Sequence, residues 1–136
     1  MLLELEDGTR HRDPDAATIA SALRTLDGEN NSFAILSEAD EVYVQTAGGR
    51  DTGFVLEYRE GSADAHYRAV RNDLNVGEVV RAFIQYTAGD PSWRVPFDWK
   101  RLEMRRLPSR RGGMLILIGA LALVAVALLI LTCMTP

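Results

Sequence analysis

The spacing of apolar and polar residues along the chain changes several times, and each change marks an element. Leu3-Glu4-Leu5-Glu6 alternates and stops at Asp7-Gly8, which predicts a strand and a turn. The period then lengthens. Ala16, Ile19, Ala20, Leu23 and Leu26 fall on one helical face, with Asp13 as cap, Pro14 in the first turn and Asp27-Gly28 as the stop. From Ser32 the pattern turns to alternation or short apolar runs, predicting strands at Phe33-Ala34-Ile35-Leu36, Val42-Tyr43-Val44-Gln45, Phe54-Val55-Leu56-Glu57-Tyr58 and His66-Tyr67-Arg68-Ala69-Val70. The separators are short and rich in turn residues, as in an antiparallel meander. A second helix starts at Asn75, where Glu78 completes a capping box. Val76, Val79, Val80, Phe83, Ile84 and Thr87 form its inner stripe, and it ends near Ala88-Gly89. Phe97 to Met104 is predicted to add a short edge strand. These elements make residues 1–104 a small α+β domain, a mostly antiparallel sheet with two helices on one face.

The last pattern is of another kind. Met114 to Met134 holds no charged residue, and its 21 residues reach about 32 Å as a helix, close to the ~30 Å hydrocarbon thickness of a bilayer. A single C-terminal transmembrane helix is predicted over 114–134. Residues 105–113, with Pro108 and Gly112-Gly113, read as a tether.

Charge gives the span a direction. Lys100, Arg101, Arg105, Arg106, Arg110 and Arg111 precede it with Glu103 as the only acid among them, and the start of the chain lacks the pattern of a secretory signal. The expectation is a single-pass protein of the inner, cytoplasmic membrane with its N-terminal domain in the cytoplasm. Those six basic residues would lie at the membrane surface, with the lipid bilayer as a partner. Only Thr135 and Pro136 follow the span, so no domain is expected on the far side. In residues 1–98 nine Arg face eighteen Asp and Glu, a net charge of −9. Such a domain is steered toward cationic proteins and away from nucleic-acid phosphates.

Candidate chemistry is sparse. His11, in a charged loop, and His66, in or beside a strand, have no Cys, His or carboxylate at a metal-ligand spacing, so no metal or cofactor is expected. Cys133, the one cysteine, lies within the apolar run and leaves no thiol nucleophile in the domain. Gly48-Gly49-Arg50-Asp51-Thr52-Gly53 joins two strands, whereas phosphate loops enter a helix N-terminus. The acid pairs Glu57/Glu60 and Asp13/Asp15 are coincidences expected among so many carboxylates. No catalytic residue and no small-molecule substrate are therefore assigned. Tyr43, Tyr58, Tyr67, Tyr86, Trp93 and Trp99 remain, as core rings or as anchors of an aromatic and acidic sheet face toward a cationic protein.

The order of elements, together with particular strings, resembles the Imm1-type immunity proteins of bacterial polymorphic toxin systems over residues 1 to about 103. The strings are Leu26-Asp27-Gly28, Ser32-Phe33-Ala34-Ile35-Leu36, Tyr43-Val44-Gln45, Gly53-Phe54-Val55-Leu56-Glu57-Tyr58, His66-Tyr67-Arg68-Ala69, Val79-Val80-Arg81-Ala82-Phe83, and Trp99 with Glu103 beyond it. The resemblance implies an α+β, non-catalytic protein that binds and blocks a cognate toxin, often a nucleic-acid deaminase. It points to Tyr43, Gln45, Glu57, Tyr58 and Trp99 as contact residues. The anchor and the Trp99 to Glu103 separation depart from that family's pattern. The alternative is a tail-anchored adaptor or subunit of a membrane complex. A neighbouring gene for a secreted protein with a toxic C-terminal domain would separate the two readings.

Overall fold

A computed structural model describes residues 1–103. The expected tether and span, with Arg105, Arg106, Arg110, Arg111 and Cys133, lie outside the described residues. No helix among the described residues is long and apolar enough to cross a membrane.

Seven strands form one sheet in the order β2-β1-β3-β4-β5-β6-β7, every neighbouring pair antiparallel. They are β1 Leu2–Leu5, β2 Arg10–Arg12, β3 Phe33–Ala39, β4 Val42–Gly49, β5 Gly53–Glu60, β6 His66–Ala69 and β7 Trp99–Arg101. Two helices, α1 Ala16–Leu23 and α2 Val76–Thr87, and a 3₁₀ turn at Pro91–Arg94 complete the domain.

The alternation of side chains along a strand decides what meets the helices. Leu3, Leu36, Val44 and Tyr58 lie opposite one another across four strands and are buried, as are Leu5, Ala34, Thr46 and Leu56. Ile19 and Leu23 of α1 and Val79 and Phe83 of α2 join that side in one hydrophobic core. Among the described residues no helix packs on the other side of the sheet.

Several expectations shift in detail. The segment holding His11 is strand β2, with His11 opposite Leu3, and its Arg-His-Arg composition hides a two-sided edge strand. Asp15, not Asp13, caps α1 through the Thr18 amide at 2.8 Å. Asp13 instead has φ 47°, and the Asp13-Pro14 corner precedes the helix. The helix stops at Leu23, and Leu26 is buried beyond it. The capping box of α2 forms as read, from Asn75 and Glu78. The edge strand of the 97–104 segment narrows to β7. In the glycine-rich connection only Arg50 to Thr52 is turn, because Gly48 pairs with Phe54 and Gly49 with Gly53 inside the ladder. Those glycines are needed for close approach: a Cβ on Gly49 would sit 2.5 Å from the Asp27 carbonyl oxygen, and one on Gly48 2.1 Å from that of Gly53.

Candidate functional site

The helix-free side of the sheet carries three rows of residues set by strand register. One runs Leu2, Ser37, Tyr43, Arg59, His66, and the next Glu4, Ile35, Gln45, Glu57, Arg68, Lys100. Phe33, Ala47 and Val55 make the third.

At the middle of this face sits a sealed polar network. Glu57, only 5 % exposed, accepts from Gln45 Nε2 at 2.7 Å and His66 Nε2 at 3.0 Å on one carboxylate oxygen, and from Arg68 Nε at 2.6 Å on the other. With Nε2 donating to Glu57, His66 Nδ1 is the acceptor for Arg59 Nη2 at 3.4 Å. Arg59 also pairs with Glu41 and lies beneath the Tyr43 ring, its guanidinium carbon 5.5 Å from the ring centroid. Burial opposes ionisation of Glu57, yet the hydrogen bond from His66 and the charge and hydrogen bond of Arg68 outweigh it and hold the carboxyl below its ordinary range. The Tyr43 hydroxyl is pushed up chiefly by burial.

The five contact residues expected from the sequence divide between two faces. Tyr43, Gln45 and Glu57 come together in or beside the network. Tyr58 and Trp99 do not join them, since Tyr58 follows Glu57 directly and Trp99 pairs with Ala69 on the core side. They belong to an aromatic cluster in which Tyr58 stacks on Tyr67 at 4.8 Å and meets Trp93 at 5.2 Å and Trp99 at 4.7 Å edge-on. Arg94 lies over Tyr58 at 4.5 Å and pairs with Glu60, while the Trp99 indole N–H donates to the Arg94 carbonyl at 3.0 Å. Tyr86 packs against Trp93, and burial, with Glu38 adding to it, pushes its hydroxyl up to about 12. Of the basic residues read as membrane-facing, Lys100 stands exposed on the helix-free face, and Arg101 donates from Nε to the Asp64 carbonyl at 2.6 Å.

The acid pairs have structural uses. Asp15 caps α1, Asp13 binds the N-terminal ammonium, and Glu57 and Glu60 lie on opposite sides of the sheet. Among the described residues no group of three or more His, Cys, Asp and Glu could hold a metal ion. Two clefts open on the helix side: one of about 480 Å³ lined by Thr9, His11, Thr18, Ser21 and Thr25, and one of about 70 Å³ beside Trp93 and Phe97. In the larger, Asp7 already accepts from the Thr9 amide at 2.8 Å.

Sequence reasoning passed over His66, Arg59 and Arg68 as site residues. The signal was present in the alternation: Glu57 and Arg59 share a face of one strand, His66 and Arg68 of the next, so pairing the two strands assembles all four. Compared with known protein families, characterised proteins and solved structures, the chain matches none of them.

Proposed function

We propose that residues 1–103 form a non-enzymatic protein-binding domain, that the apolar run 114–134 holds it at the cytoplasmic membrane with the domain in the cytoplasm, and that it is an immunity protein that binds and blocks a deaminase-type toxin domain. The network around Glu57 carries this reading. It gives the helix-free face a fixed surface before any partner arrives, so little side-chain freedom is lost on docking. Most of its polar atoms are spent on one another, the buried Nε of Arg59 being the exception. His66, the residue best suited to acid–base work, is 2 % exposed and has both ring nitrogens engaged. Around the network lie half-buried Tyr43, Phe33, Ile35 and Val55, the mix of aromatic and aliphatic area typical of an interface centre.

The test is to look beside the gene for a secreted protein with a toxic C-terminal domain and to co-express that domain with the full chain. Survival and a co-purifying complex are expected. No rescue and no complex contradict the immunity reading, and co-purification with membrane machinery instead favours the adaptor. Orientation is tested separately, since a reporter fused ahead of Met1 that is active only outside the cytoplasm contradicts it.

A further inference from the structure

We propose that His66 is a proton-operated latch of the helix-free face: unprotonated at Nδ1 it holds Arg59 beneath Tyr43, and on taking up a proton there it lets the Arg59 head swing out. The latch is intrinsic to the domain and bears on a partner only through the protein-binding reading above.

His66 is sealed, 2 % exposed, and its two ring nitrogens meet opposite charges. Beside Nε2 lies the Glu57 carboxylate at 3.0 Å, and beside Nδ1 the Arg59 guanidinium, with Nη2 at 3.4 Å. A proton taken from solvent onto Nδ1 makes the ring an imidazolium and turns the acceptor of Arg59 into a donor. The two sides then respond in opposite ways. The hydrogen bond from Nε2 becomes an ion pair with Glu57 and tightens, whereas the Nδ1 side sets N–H against N–H and cation against cation. The ring therefore stays, and Arg59 is the group that moves.

Little else holds the Arg59 head in place. Its Nε is buried with no hydrogen-bond partner among the described residues, and its Nη1 pairs with Glu41. Glu41 is exposed, in the two-residue turn between β3 and β4, so its side chain can follow the guanidinium into solvent. The Tyr43 ring, 5.5 Å from the guanidinium carbon and edge-on to His66 at 6.3 Å, loses its cation when Arg59 leaves.

The remaining charges around the ring leave this direction unchanged. Arg68, on the same strand, binds the other oxygen of Glu57 at 2.6 Å, and Lys100 of β7 stands opposite Arg68. Arg101 donates to the Asp64 carbonyl, the Asp64 side chain is exposed in the turn before β6, and Glu60 at the end of β5 pairs with Arg94 on the helix side. A face that docks a partner through Tyr43 thus has a fixed end while His66 is neutral and a loose one once it is charged, and ordering the loose end costs affinity.

The experiment is NMR of the full chain in detergent micelles, titrated from about pH 8 to about pH 5, the span in which histidines ordinarily change charge. Glu57 stays ionised across it, since its carboxyl is held below its ordinary 4.5. At the start the His66 ring should carry a proton on Nε2 and none on Nδ1. As Nδ1 takes its proton, the NOE between the Tyr43 ring and the Arg59 side chain should fall roughly ten-fold in step, while the Gln45 amide protons and the core signals of Val79 and Phe83 hold. His66→Gln, which keeps a donor toward Glu57 and has no ring to titrate, should show a Tyr43 to Arg59 NOE independent of pH. A proton already on Nδ1 at about pH 8, a ring that never takes one up, an Arg59 contact that survives the titration, or a loss shared with the core signals overturns the proposal. These signals need no partner, so a failed survival test with the toxic domain counts against the immunity reading alone.

Discussion

Glu57 shows how one residue can serve both stability and surface. A carboxylate at that depth persists because three donors share it, so removing it strands Arg68, His66 and Gln45 together. Glu57→Ala should cost on the order of 3 kcal/mol in urea unfolding. The pH dependence has a definite sign. Because the folded-state pKa lies below its ordinary value of 4.5, the contribution of Glu57 is fully present above pH 4.5 and is lost as pH falls from there through the folded value. Glu57→Gln should accordingly flatten the acid limb of the stability profile while lowering stability at pH 7. An acid limb of unchanged slope would show that the hydrogen bonds do not favour the ionised form. The split of the expected contact residues is also a matter of single positions. Glu57 and Tyr58 are neighbours on a strand, and neighbours point to opposite faces, so a shared surface for both was excluded by the pleat itself.

Among the elements, the hairpin of β4 and β5 is the most constrained. Gly49 lies against the Asp27 carbonyl, where Asp27 Oδ1 also accepts from the amides of Glu29, Asn30 and Asn31 at 2.8 to 3.0 Å. Gly49→Ala must push that loop from the sheet and should lower stability by about 2 kcal/mol, read as a shift in the urea midpoint. At α2, Asn75→Ala removes the capping box and should cost about 1 kcal/mol; a neutral result would mean that burial of Val79 and Phe83 alone sets the helix start. Strong periodicity made α2, β3, β4, β5 and β6 legible, since each has an apolar face to bury. β2 was not, because Arg10 and Arg12 face solvent and its register comes from β1. The cap of α1 moved by two residues because Asp13 and Asp15 are equivalent in composition, and only the Asp13-Pro14 corner decides between them. The polar network was hidden for a related reason. Its side chains come from three strands, Gln45 on β4, Glu57 and Arg59 on β5 and His66 and Arg68 on β6, and only their pairing shows that Glu57 is placed to satisfy Gln45, Arg68 and His66.

At the scale of the whole molecule, the domain divides its labour by face. One side of the sheet is sealed by α1 and α2 over a core that ends in the Tyr58, Trp93 and Trp99 cluster, and the other, among the described residues, carries the polar network and no helix. Under the proposed function, this module is held beside the membrane and meets a toxin there. The central claim is that this module works by contact through the helix-free face. The most direct measurement is survival of cells making the toxic domain together with the full chain carrying either Val55→Arg, on that face, or Ser21→Arg, exposed on α1. Protection is predicted to fall at least ten-fold with Val55→Arg and to stay whole with Ser21→Arg, both variants melting like the parent. Full protection by Val55→Arg, or its loss with Ser21→Arg alone, would contradict the account.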